Sequence, residues 1–176
     1  GQVLGDGVDL RQMAPGWWRR QIAYLPQEPT FLNASVADNL LAANPDIGED
    51  GVNHVIREAG LGAFIDESAQ GLDTPITDNG GTLALGIRRR LALARALANT
   101  LGDGGRLVLF DEPTEGLDKE GAAAVYAALK RLAEERRTLV LVTNDPVILK
   151  GARVVLDLNT KPAPQLVSVV TSEHAS

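Results

Sequence analysis

Cysteine is absent from the 176 residues, which excludes disulfides and thiolate-held metals. Histidine occurs only as His54 and His174, so a histidine-rich metal centre is excluded too. Long apolar runs are missing. The hydrophobic stretches are short and broken by charges, and no transmembrane helix fits them. The opening residues, Gly1-Gln2-Val3-Leu4-Gly5-Asp6, lack the basic start and apolar core of a signal peptide. Positive charge is scarce where it would matter for nucleic acid. Residues 28–87 hold one basic residue, Arg57, against ten acidic ones, and the whole chain carries a net charge of −6. Phosphate backbones need a basic face, so a general nucleic-acid binder is not expected. Arg88-Arg89-Arg90 follow that acidic stretch at once and read as a solvated helix face rather than a phosphate clamp. What remains, 44% hydrophobic and 23% charged with 18 Gly and 9 Pro, suits an ordinary folded globular chain of one-domain length.

Periodicity divides the chain into alternating strands and helices. Ile22–Leu25 reads as a short strand stopped by Pro26. Ser35 with Asp38 three positions on is a helix start, and Val36, Leu40 and Leu41 form its apolar stripe. A turn at 44–48 leads into a helix over 49–59, ended by Gly60. Residues 71–86 are loop-like. A helix over about 87–99 aligns Ile87, Leu91, Ala94 and Ala98 on one face. Leu107–Phe110, Leu139–Val142 and Val154–Leu158 read as three buried strands, separated by a helix over about 119–136. Residues 167–170 suggest an edge strand. This alternation predicts an α/β fold with a largely parallel sheet.

The run Leu107-Val-Leu-Phe-Asp111-Glu112-Pro-Thr-Glu-Gly-Leu-Asp118 carries the chemistry. A buried strand ends in two adjacent carboxylates, and such strand ends are where α/β proteins place ligands. An Asp there can hold Mg²⁺, and a neighbouring Glu can orient or deprotonate a water attacking a phosphate. Taken alone, the Asp-Glu pair also reads as no more than a strand end before a turn.

The full run resembles the Walker B and D-loop of ATP-binding cassette (ABC) ATPases. Tyr24-Leu-Pro-Gln27-Glu-Pro29 resembles the family's Q-loop, residues 31–40 the exporter segment after it, residues 88–97 the helix after the signature, and Leu139–Thr143 the strand leading to the H-loop. Residues 71–80 resemble the exporter segment before the signature. The resemblance is greatest to exporter nucleotide-binding domains, including those of type I secretion systems. The resemblance implies a P-loop NTPase-like α/β core at 1–34 and 87–170, a helical signature subdomain at 35–86 and a polar tail at 171–176. It implies ATP and Mg²⁺ as cofactors, with Asp111 and Gln27 at the metal, Glu112 activating water, Gln27 sensing metal and water, and Asp118 in the D-loop. Ala84, Leu85 and Gly86 occupy the signature that grips the γ-phosphate of an opposite subunit. Asn144 occupies the switch-histidine position, and Asp78 is the candidate coupling residue. The implied partners are an exporter's transmembrane domain, fused or separate, and a second nucleotide-binding domain, with no nucleic acid. The implied location is the cytoplasmic face of the bacterial inner membrane.

The sequence departs from the family at three places. No Gly-x-x-x-x-Gly-Lys-Ser/Thr is present: the four lysines are Lys119, Lys130, Lys150 and Lys161, and none follows a glycine. Residues 1–10 resemble the strand that follows the P-loop helix, so the phosphate cradle is expected upstream of Gly1, and this stretch alone is expected to be inactive. The signature Leu-Ser-Gly-Gly-Gln stands as Leu83-Ala84-Leu85-Gly86-Ile87, which removes a hydroxyl and adds bulk. Asn144 can hydrogen-bond but cannot titrate near neutral pH. The expected function is an exporter ATPase domain coupling Mg-ATP hydrolysis to transport. The alternative is a degenerate, non-hydrolytic partner in an asymmetric dimer. Smaller expectations are Trp17-Trp18 as core or interface bulk, His54 on a helix surface, and Arg95 salt-bridged within the domain.

Overall fold

The computed structural model describes residues 1–160 and 163–168. They fall into two compact units, divided between Val142 and Thr143.

The first unit opens with a small antiparallel hairpin, β1 (Leu4–Gly5) and β2 (Val8–Asp9). Asp6 and Gly7, both at positive φ, make its two-residue turn, the backbone shape that Asp-Gly favours. Helix α1 (Pro15–Arg20) follows, then β3 (Ile22–Leu25), α2 (Val36–Leu41), α3 (Gly48–Glu58) and α4 (Gly62–Glu67). Two short 3-10 turns, Gly71–Asp73 and Asp78–Gly80, lead to α5 (Leu85–Ala98), β4 (Leu107–Asp111), α6 (Lys119–Glu134) and β5 (Thr138–Val142).

Strands β3, β4 and β5 form a parallel sheet in that order, as the alternation predicts. Ala23 pairs with Val108 and Leu25 with Phe110, and all four are 0–3% exposed. Helices α5 and α6 pack against this sheet. Leu91, Ala94 and Ala98 of α5 and Val125, Leu129 and Leu132 of α6 are buried, as their spacing requires. Ile87 is only partly buried. The predicted cap at Ser35 is a full capping box: Asp38 N–H donates to Ser35 Oγ, and Ser35 N–H donates to the Asp38 carboxylate. A bidentate Arg131–Glu58 pair, at 2.7 and 3.1 Å, ties α6 to α3.

Several expectations need correction. Helix α5 starts at Leu85, two residues early, with Ala84 as its N-cap at φ −55° and ψ 142°. Strand β5 is not buried: Val140 and Val142 are 46% and 48% exposed, on the sheet face opposite to Val108 and Phe110. The arginine triplet is not a solvated face, for Arg90 is buried and Arg88 and Arg89 are partly buried. Arg95 makes no salt bridge among the described residues; it donates to the Thr30 carbonyl at 2.7 Å and lies over the Phe31 ring. Trp17, expected as core or interface bulk, is half exposed and α1 buries none of its residues, which counts against the core alternative alone. His54 lies on a helix surface, 3.4 Å from Glu58, as expected.

The second unit holds α7 (Pro146–Gly151), β6 (Val154–Asp157) and β7 (Gln165–Ser168). Strand β6 was expected to be buried in the parallel sheet. It instead pairs antiparallel with β7, and its outward residues Val154 and Leu156 are 59% and 56% exposed. A two-stranded ribbon has no further layer to cover both its faces. The expected edge strand at 167–170 is seen only through Ser168, and residues 169–176 lie outside the described residues.

Candidate functional site

The parallel register sets the site. Leu25 lies opposite Phe110, so the chain leaves β3 toward Gln27 at the same sheet edge where β4 delivers Asp111 and Glu112. Asp111 pairs with Val142, the last residue of β5. Glu112 turns away sharply with φ of +44°, its N–H donating to the Val142 carbonyl at 2.8 Å. A non-glycine residue in this left-handed region costs on the order of 1 kcal/mol. Such strain persists where neighbouring structure imposes it, and it clusters at functional sites.

The turn after Glu112 is held from α5. Glu115 N–H donates to the Glu112 carbonyl, and Leu117 N–H to that of Thr114. Asp118 caps α6, accepting the Gly121 N–H at 2.8 Å and Arg90 Nη2 at 2.6 Å. These two bonds hold the Asp118 carboxyl below its ordinary pKa, the Gly121 N–H contributing most. Arg90 also donates to the Gly60 carbonyl at 2.7 Å. Arg89 Nη2 donates to Glu115 Oε2 at 3.1 Å, and Gln27 Nε2 donates to the same oxygen at 3.2 Å. Sequence reading missed Arg89, Arg90 and Glu115. Their only signal was arginines at adjacent helix positions and acids three apart in a turn.

Ala84 and Leu85 begin α5. The Ala84 side chain makes no capping hydrogen bond, as its chemistry dictates. Leu85 is 48% exposed and lies over Gly116, where an added Cβ would stand 3.1 Å from Leu85 Cδ2. Gly86 has open space about it. The start of α5 and the turn holding Asp118 are therefore neighbours in one chain. Asp78 sits in a 3-10 turn, exposed, at φ of +50°. That turn is fastened to the segment after Gln27: Asn79 N–H donates to Asn33 Oδ1, and Phe31 N–H to the Asn79 carbonyl. Gly80 sits against the Phe31 ring, where any side chain would collide. Asn144 belongs to the second unit. It is exposed, just before Asp145, which caps α7 by accepting the Val147 N–H.

The donor set suits Mg²⁺. Asp111 and Gln27 supply hard oxygens, and Mg²⁺ takes one or two such groups while phosphates and water fill the rest. Among the described residues no cluster of three or more His, Asp or Glu side chains forms a metal cage.

A family model described as ABC transporter matches residues 1–115. The chain is 33% identical over 156 residues to the exotoxin translocation ATP-binding protein PaxB of Pasteurella aerogenes, covering 89% of this chain and 21% of that protein. It is 32% identical to the alpha-hemolysin translocation ATP-binding protein HlyB of Escherichia coli, covering 89% of this chain and 22% of that protein. A bacterial Atm1-family ABC exporter with ATP bound shares the fold, with a TM-score of 0.78 at 24% identity over 89% of this chain and 26% of that one. The parallel sheet, the Asp-Glu strand end and these matches agree on one family. The chain belongs to the ABC transporter family, and its similarity runs to type I secretion exporters. It spans about a fifth of the length of those relatives. Among the described residues no helix is long and apolar enough to cross a membrane.

Proposed function

We propose that this chain forms part of the ATP-hydrolysing domain of an ABC exporter, coupling Mg-ATP hydrolysis to export through a transmembrane domain. The reading rests on one observation above others: Glu112 held at positive φ beside Asp111, at the sheet edge to which β3 also delivers Gln27. Asp111 and Gln27 would hold Mg²⁺, which supplies charge neutralisation for the phosphates when bound. Glu112 accepts a hydrogen bond from the attacking water and takes its proton. The stretch 35–86 serves as the helical signature lobe and Asp78 as its coupling contact. The phosphate cradle is not encoded within these 176 residues. The domain works at the cytoplasmic face of a bacterial inner membrane, pairs with a second nucleotide-binding domain and binds no nucleic acid. In the intact exporter, Glu112→Gln is expected to lower ATP hydrolysis at least about 100-fold, the usual worth of a positioned base, with ATP binding retained. Unchanged turnover would refute the reading.

A second reading has a specific observation behind it. Leu85 is 48% exposed at the start of α5, where backbone must approach a partner's phosphate, and Ala84 offers no hydroxyl. With Asn144 at the switch position, this favours a weakened half-site in an asymmetric pair. Asn144→His that raises turnover in the intact exporter would support it; no change would count against it.

A further inference from the structure

Glu115 has no role in the function proposed above, yet it joins two elements 88 residues apart in sequence. Its Oε2 accepts one hydrogen bond from the Gln27 side-chain amide and one from Arg89. The Arg89 side chain is only 12% exposed, so water satisfies little of its charge and the Glu115 pair supplies the counter-charge. Glu115 is thus held from the α5 side and offers its oxygen toward Gln27. A carboxylate can only accept, so the Gln27 group facing it must be the NH₂. That fixes the amide with its NH₂ toward Glu115 and its carbonyl oxygen turned away from it.

We propose that Glu115 is a positioning residue for Gln27: it captures the amide N–H so that Gln27 presents oxygen, not nitrogen, to the metal side of the site, and Arg89 anchors Glu115 for that purpose. The proposal rests on the exporter-ATPase reading and deepens it. A free glutamine offers oxygen and nitrogen about equally, and an NH₂ turned to a cation repels it. An orienting partner behind a ligand is the usual way that loss is avoided, and losing one costs about 10-fold or more in metal affinity.

The test uses Mn²⁺ as the probe, read by electron paramagnetic resonance on the intact exporter with a non-hydrolysable ATP analogue. Glu115→Ala and Glu115→Met, the latter keeping the length of the stem, are each expected to weaken Mn²⁺ binding about 10-fold. Analogue affinity without metal and the thermal midpoint should hold. Glu115→Gln retains an acceptor oxygen and should recover most of the loss. Gln27→Ala should weaken Mn²⁺ binding similarly, and adding Glu115→Ala to it should cost nothing further, because the two act as one unit. Unchanged Mn²⁺ affinity in both Glu115→Ala and Glu115→Met overturns the proposal. So does a double variant whose loss is the product of the two single losses. Either result beside a Glu112→Gln exporter that no longer hydrolyses ATP sinks only the Glu115 assignment; a fully active Glu112→Gln exporter sinks the reading beneath it.

Discussion

On one face of the parallel sheet Ala23, Leu25, Val108 and Phe110 are 0–3% exposed; on the other Tyr24, Val140 and Val142 are 46–52% exposed. Tyr24 alternates with Ala23 and Leu25 along β3, and the register carries its row through Leu109 to Val140. The two sets are similar in composition, so the difference is one of cover. Helices α5 and α6 shield one face, and no described residue shields Tyr24, Val140 or Val142 as fully. An apolar strand states a demand for burial on both sides. Whether that demand is met depends on which layers pack there, which strand composition does not encode.

The contrast can be tested by substitution, read as unfolding free energy. The largest loss is expected on the covered face: Phe110→Ala opens a cavity in a fully buried site and should cost about 3–5 kcal/mol. A cost below 1 kcal/mol would mean that this face is not a packed core. Next comes Arg90→Ala, which removes the buried link from α5 to the Gly60 carbonyl and to Asp118. Asp118 is largely exposed, so solvent discounts the pair, and about 1–2 kcal/mol is expected. On the open face Val140→Ala should cost no more than about 0.5 kcal/mol. A cost near 2 kcal/mol in the intact protein would show that another segment covers this face there.

The smallest effect concerns the hairpin. Hydrogen bonds from Arg11, side chain first, hold the Asp9 carboxyl down from 3.8 to about 2. A lowered folded-state pKa adds stability above the unfolded value, and that stability is lost as pH falls through the folded one. Wild type should therefore lose stability relative to Asp9→Asn between about pH 4 and pH 2, followed by denaturant titration at each pH. Parallel pH profiles would remove Arg11 as the cause.

Local features were legible in the residues. Strand β3 begins and ends where its four apolar residues do, because Pro26 cannot continue the ladder. Ser35 and Asp38 announce a helix start because a capping box closes within one turn. The Asp-Glu strand end marked the candidate site because open α/β sheets place ligands at the carboxyl ends of their strands. Features that need a partner from elsewhere were not legible. Arg89 and Arg90 looked like a wet helix face, since their partners Glu115 and Asp118 lie 26 and 28 residues away. Strand β6 looked like Leu107–Phe110 in composition, and only its pairing with β7 set it apart.

The sequence by itself determined the elements, their caps and the carboxylate pair, because hydrogen bonding within a turn and the periods of helix and strand act over a few residues. Only the tertiary structure decided which sheet face is covered, that two arginines of α5 hold the turn after Glu112, and that Gln27 and Glu115 meet. Those outcomes depend on register and on how layers pack, which bring together residues that no local pattern connects.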